Sequence, residues 1–218
     1  MKKFISIVLI IIGIALILTP TIKNQIIKHN IKKKSEIVNT ITHEEITENI
    51  ETDAEFDYEA IEDVGITSTI IGSINFDNKS MIGQLIIPEL DINLPVLKGV
   101  TNANLLAGAT TMVPEQKMGE GNYPLAGHRM KQKDLLFGSL MDIEIGTIVY
   151  ITDKETIYEY TIYDTVVVQD TAMEMLDNKR AEEKGKPIIS LMTCYYSSNT
   201  GKRFFALGEL TDEYAVED

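Results

Sequence analysis

The sequence predicts an all-β barrel or sandwich beginning near residue 81, preceded by an N-terminal transmembrane helix and an acidic linker. Three observations predict this. The chain opens on a long charge-free apolar run. A stretch rich in acids and devoid of Lys and Arg follows. From residue 81, short β-rich runs alternate with turn signals at the spacing usual for barrels and sandwiches. This divides the chain into an anchor at residues 1–22, a basic juxtamembrane segment and acidic linker at 23–80, and one folded domain at 81–218.

The anchor rests on residues 4–18, which carry no charge; extension through Thr19-Pro20-Thr21-Ile22 gives 19 residues. At 1.5 Å per residue that crosses a hydrocarbon core of about 30 Å. Lys2 and Lys3 precede it like the start of a signal peptide, but no small-x-small cleavage site follows, so the segment reads as an uncleaved signal anchor. Lys23, Lys28, Lys32, Lys33 and Lys34 outnumber the two N-terminal lysines. The positive-inside rule alone would therefore put the C-terminal flank in the cytoplasm. The signal-like start argues for the opposite orientation, with these lysines on anionic headgroups at the outer face.

Charge marks the next boundary. Residues 1–34 hold seven lysines and no acid, and residues 35–78 hold twelve acids and no Lys or Arg. Ile37, Ile41, Ile46 and Ile50 recur at spacings of four and five, which suits partial helix. Two readings stand for the linker: a solvated stalk, as like charges resist compaction, or a regulatory segment that folds over a site. The net charge of −13 makes nucleic acid an unsuitable partner.

In the folded part the expected strands are 82–87, 92–97, 109–112, 123–126, 147–152, 157–168, 187–194 and 203–210. Pro88 and Gly99 punctuate the first two, and Asp153-Lys154-Glu155 turns the hairpin between the fifth and sixth. Two helical pieces fit between strands, one at 102–106 with Thr101 as its cap and one at 134–141. No internal repeat, phosphate loop or metal-type spacing of His and Cys is present, and no metal or cofactor is expected.

The chain has one cysteine, Cys194, and its folded part has one histidine, His128. Both fall at the ends of expected strands. Thiol acyl transfer needs a thiolate, a group that protonates the leaving amine, and positive charge where an oxyanion develops. Imidazole, with a pKa near 6.5, suits the second task. Arg203 opens the strand after Cys194, and the short connection 195–202 would return it antiparallel beside the thiol. Each residue alone has a plain reading: a small buried hydrophobe, a loop histidine, an edge charge. Their coincidence at strand ends favours chemistry.

The segments around these three residues carry a resemblance. Gly121-Asn122-Tyr123-Pro124-Leu125-Ala126-Gly127-His128, Ser190-Leu191-Met192-Thr193-Cys194 and Arg203-Phe204-Phe205-Ala206-Leu207-Gly208-Glu209-Leu210 resemble the three signature segments of sortases, the membrane-anchored transpeptidases of Gram-positive bacteria. Residues 82–96 resemble the opening strands of class A members. The similarity covers about residues 81–212, and the single N-terminal anchor also resembles class A.

The resemblance implies an eight-stranded sortase-type β-barrel that recognises an LPXTG-type sorting signal. Cys194 matches the nucleophile, His128 the general acid/base, and Arg203 the arginine that stabilises the oxyanion. Thr193 and Ala126 border the substrate groove, and Met173, Met175 and Leu176 form an apolar wall for the signal's Leu and Pro. The implied partners are LPXTG-bearing surface proteins, the amine of the peptidoglycan precursor lipid II, and the cytoplasmic membrane. The implied location is the cell membrane, single-pass, with the domain outside.

There are departures from the family pattern. Ser190 stands where Thr is usual, and Tyr195-Tyr196 after the nucleophile would narrow the groove. The loop 112–120 holds only Glu115 and Glu120 as acids, with Lys117 between them, too few for the six to eight oxygens calcium prefers. No calcium dependence is expected. Two alternatives remain: a cysteine hydrolase that releases the cleaved protein to water, and a noncatalytic adhesion module in which Cys194 merely packs.

Overall fold

The computed structural model describes residues 2–61 and 78–216. Eight strands close into a barrel: β1 (Met81–Ile87), β2 (Ile92–Leu97), β3 (Ala109–Thr111), β4 (Asn122–Ala126), β5 (Ile148–Thr152), β6 (Thr156–Gln169), β7 (Ile188–Cys194) and β8 (Lys202–Ala215). Around the barrel they run β1-β2-β3-β4-β7-β8-β6-β5. Two pairs, β2–β3 and β4–β7, are parallel; the others are antiparallel. Closure leaves no free edge to pair with another chain. All eight expected strands are present, and β8 extends five residues beyond the expected end, to Ala215.

Alternating apolar side chains from the strands fill the interior. Leu85, Leu94, Val149, Tyr160, Ile189 and Leu191 belong to the main buried cluster. A second cluster gathers Ala126, Met175, Leu176, Met192, Cys194 and Phe205 at one side.

The helices differ from expectation in instructive ways. The piece α3 (Asn102–Leu105) forms as expected, with the Thr101 hydroxyl accepting from the Asn104 N–H at 3.1 Å. The expected helix at 134–141 is instead a series of turns ending in a 3-10 turn at Leu140–Asp142. Leu136 adopts φ 48°, which breaks a right-handed helix, and the Phe137 N–H turns back to the His128 carbonyl at 3.1 Å. Leu135, Leu136, Phe137 and Leu140 are all buried, so the segment plugs the barrel on every side rather than presenting one helical face. A short helix the sequence reading missed, α4 (Lys179–Lys184), precedes β7 and ends on Gly185 in the left-handed region.

The N-terminal region is helical further than the anchor alone requires. Helix α1 runs Lys2–Thr40, and Lys3–His29 within it is apolar and long enough to cross a membrane. Its C-terminal half packs on the barrel: Ile27 joins the main core, and Val38 packs with Met81, Leu97 and Ala107. Lys28 pairs with Asp134 at 2.9 Å. After Thr40 comes α2 (His43–Ile50), which opens on a reciprocal capping box between Thr42 and Glu45.

The linker is thus not a free stalk where it is described. Asn49 of α2 donates to the Met81 carbonyl at 2.8 Å, and residues 52–61 continue across the barrel. Residues 62–77, the last part of the linker, lie outside the described residues.

Candidate active site

The site is assembled where β4 and β7 end and β8 begins. β4 and β7 are parallel, with Ala126 opposite Met192. Two residues beyond each stand His128 and Cys194. The register is held past the strand ends by the Gly127 N–H donating to the Met192 carbonyl at 3.0 Å. The Thr193 hydroxyl returns a bond to the Gly127 carbonyl at 2.8 Å. β7 and β8 are antiparallel, and Cys194 lies directly opposite Arg203. A cross-strand pair of this kind brings Cβ atoms within about 5.5 Å. The three residues singled out in the sequence therefore converge on one end of three adjacent strands.

Gly127 is needed for close approach. A Cβ there would lie 2.5 Å from the Phe137 ring, which packs directly under the turn leading to His128. His128 and Cys194 are both buried, at 3% and 2% exposure, so the site is shielded from bulk water in this conformation. The Cys194 Sγ lies 3.9 Å from the backbone carbonyl of Ile61, and an Arg203 guanidinium nitrogen donates to that same carbonyl at 3.3 Å.

The expected groove residues divide. Ala126 is fully buried in the Cys194 cluster, and Thr193 is buried with its hydroxyl committed to Gly127. Met173, Met175 and Leu176 form a 3-10 turn, Met173–Leu176. Met175 and Leu176 pack in the Cys194 cluster, whereas Met173 is half exposed. The tyrosines after the nucleophile meet edge to face, with ring centroids 4.6 Å apart, but they reach different surroundings. Tyr195 packs against the main core, while Tyr196, at φ 61°, lies over Arg129 with its ring 5.5 Å from the guanidinium carbon. Arg129 also donates to the Tyr196 carbonyl at 2.9 Å, which ties the β7–β8 connection to the residue after His128.

The sequence reading missed Asn122. It is buried in β4, and its side-chain nitrogen donates to the Met175 carbonyl at 3.0 Å and to the Asp177 carbonyl at 3.3 Å. Its side-chain oxygen accepts from the Ser190 hydroxyl at 2.8 Å. This one side chain fixes the Met173–Leu176 turn against β4 and β7. The signal was available: an amide inside an otherwise apolar strand must be bonded to something. Ser190 keeps the hydroxyl that this network uses, which accounts for the tolerated departure there.

The same fold occurs in known proteins. The Sortase domain family matches residues 85–211. Sortase A of Listeria monocytogenes serovar 1/2a (strain ATCC BAA-679 / EGD-e) is 42% identical over 210 residues, covering 96% of this chain and 91% of the relative. Sortase A of Streptococcus agalactiae serotype III (strain NEM316) is 31% identical over 224 residues, covering 100% and 88%. Among solved structures, Listeria monocytogenes sortase A superposes with a TM-score of 0.59 at 42% identity, over 64% of this chain and 92% of that one. Sortase C-3 from Streptococcus pneumoniae gives 0.63 at 23% identity, over 87% and 94%, a likeness of fold alone. The chain belongs to the sortase family, the cysteine transpeptidases, and within it to class A.

Proposed function

We propose that this sortase is a membrane-anchored enzyme that cleaves an LPXTG-type sorting signal between Thr and Gly and transfers the surface protein to an amine of lipid II. The observation that carries this reading is the carbonyl of Ile61, held between the Cys194 sulfur and the Arg203 guanidinium. A peptide carbonyl fits where the scissile one would have to sit.

The Cys194 thiolate attacks the Thr carbonyl carbon, and negative charge moves to the carbonyl oxygen. Arg203 donates to that oxygen. Collapse breaks the C–N bond, and the departing Gly amine takes its proton from the His128 imidazolium, leaving a thioester on Cys194. The acceptor amine then attacks the thioester, gives a proton to His128, and releases the thiolate. Ala126, Met175 and Leu176 supply the apolar wall for the signal's Leu and Pro, and methionine adapts its shape to an incoming side chain. Thr193 acts indirectly, by fixing the turn that leads to His128.

The anchor supports a membrane location, and the signal-like start, against the count of flanking lysines, supports the barrel outside. Lys23 and Lys28 come directly after the apolar run, and Lys28 already pairs with the barrel's Asp134. This seats the domain close to the headgroups.

Incubation with an LPXTG peptide and a panel of amines, followed by mass spectrometry, tests the function. Peptide–amine conjugates as the main product support transpeptidation. Free cleaved acid as the main product, insensitive to added amine, would instead establish a hydrolase.

A further inference from the structure

Helix α1 meets the barrel at one end and follows it to the other. Lys28 pairs with Asp134 at 2.9 Å. Further along, Val38 packs with Met81, which opens β1, and Leu97, which closes β2. Just after the helix, a ring nitrogen of His43 stands 3.1 Å from the Asp153 carbonyl in the β5–β6 turn. At 1.5 Å per residue, Ile27 to Val38 spans about 16 Å. β1 spans about 20 Å, so α1 tracks the β1–β2 hairpin from its turn to its open end.

The end where α1 arrives also holds the site. β4 and β7 finish there, at Ala126 and Cys194, and β8 begins there. The connection 127–147 crosses that end from β4 to β5 and contains both His128 and Asp134. Its Ser139 hydroxyl donates to the Leu90 carbonyl at 3.0 Å. Its Thr147 hydroxyl donates to the Glu89 carboxylate at 2.9 Å, so it is tied to the β1–β2 turn. The opposite end holds the β3–β4 connection and the β5–β6 turn.

The site-bearing end lies next to the apolar run. A hydrocarbon core of about 30 Å takes about 20 residues, and the charge-free stretch ends at Ile22. Ile27, buried in the barrel core, comes about 7.5 Å further on. The headgroup layer is itself about 5–7 Å deep. Pro20 can bend α1 but cannot lengthen it. The barrel therefore begins where the headgroups end. Charge suits that place. Lys23, Lys28, Arg129, Lys131 and Lys133 balance the five acids of residues 88–91 and 128–147, in a chain of net charge −13. Ile145, in the same connection, is 70% exposed. A neutral end can approach anionic headgroups that repel the acidic remainder of the chain.

We infer that the end of the barrel bearing Cys194 rests on the phospholipid headgroups, with Lys131 and Ile145 in contact with them. The inference rests on the anchored reading above and adds the face presented to the bilayer. An acceptor amine linked to a membrane lipid then reaches the thioester from the headgroup layer. The β3–β4 connection, at the opposite end, faces away from the membrane.

The test uses the full chain in nanodiscs of phosphatidylcholine and phosphatidylglycerol that carry headgroup spin labels. Single thiols come from Lys131→Cys, Ile145→Cys and, at the opposite end, Glu115→Cys, each combined with Cys194→Ala and tagged with a fluorophore. The first two tags should lose most of their fluorescence to the spin labels, and the tag at position 115 should keep it. A second arm uses the unsubstituted chain. Acetylation of Lys131 by a water-soluble ester, measured against Lys117 by mass spectrometry, should slow severalfold on transfer from detergent micelles to nanodiscs. An unquenched tag at position 131 or 145, equal quenching at position 115, or an unchanged Lys131 to Lys117 ratio would overturn the proposed face. A chain that does not enter nanodiscs would overturn the anchored reading, and this one with it. Neither arm depends on peptide turnover, so a failure of the catalytic reading is seen separately.

Discussion

Asn122 shows how a single side chain fixes the turn Met173–Leu176 of the proposed groove. It is bonded to Met175, Asp177 and Ser190, and its own N–H donates to the Asn178 side chain at 2.9 Å. Truncation removes the donor to the Met175 and Asp177 carbonyls and the acceptor of the Ser190 hydroxyl, at about 1–3 kcal/mol. Asn122→Ala should therefore lower stability by that amount in denaturant titration and raise the KM for peptide, because the Met173–Leu176 wall loses its tether. A variant with full stability and unaltered KM would show that the wall is held by other contacts. At this scale much of the site was legible. Cys194, His128 and Arg203 stand out in the sequence because thiol acyl transfer needs those three groups and each lies at a strand end. Asn122 left a signal as an amide in an apolar strand, but its role was not legible, because two of its partners are backbone carbonyls of a distant turn and a carbonyl leaves no mark on the sequence.

At the scale of elements, the barrel carries buried phenols as well as aliphatic side chains. Tyr160 in β6 is in the main core, and its hydroxyl accepts from the Gly119 N–H at 3.1 Å. Burial pushes its ionisation, and that of Tyr123 in β4, well above the ordinary range near 10. The folded state thus keeps both phenols protonated where the unfolded chain would release them. This contribution is complete below about pH 10 and is lost as pH rises above it. Each phenol should steepen the alkaline loss of stability by about 1.4 kcal/mol per pH unit. Tyr160→Phe should remove about one such slope in denaturant titrations between pH 8 and 11. Equal slopes in the two proteins would show that Tyr160 is reached by solvent without unfolding.

The β3–β4 connection carries another prediction at this scale. Glu115 and Glu120 are both exposed there, with Lys117 between them. Addition of millimolar calcium, or of a chelator, should leave peptide turnover unchanged; severalfold stimulation by calcium would contradict this. Strand positions were readable because alternation and turn residues are local signals. The segment at 134–141 was not, because its apolar residues face a core that surrounds them, and the run of Leu and Phe mimics a helix.

At the scale of the whole molecule, the described parts of the three charge blocks touch one another: the basic block in α1, the acidic block in the end of α1, in α2 and in residues 51–61, and the barrel. The apolar stretch Lys3–His29 overlaps the point where Ile27 enters the barrel core, so the apolar helix and the barrel meet without a spacer. The acidic segment resisted interpretation from charge alone. Its described acids do face solvent, as a stalk's would, but its grip on the barrel runs largely through backbone groups, the Ile50, Thr52 and Ile61 carbonyls and the Asp57 N–H. Backbone contacts of that kind are silent in composition.

The central claim is that Cys194, aided by His128 and Arg203, carries the acyl group between donor and amine. Intact-mass spectrometry of the protein mixed with an LPXTG peptide in the absence of amine tests it most directly. The predicted result is an adduct, hydroxylamine-labile as a thioester must be, that maps to Cys194. The adduct should be absent in Cys194→Ala, and in His128→Ala and Arg203→Ala its formation should slow by about 10²-fold or more. Transpeptidation that persists in Cys194→Ala, or an adduct on another residue, would contradict the account.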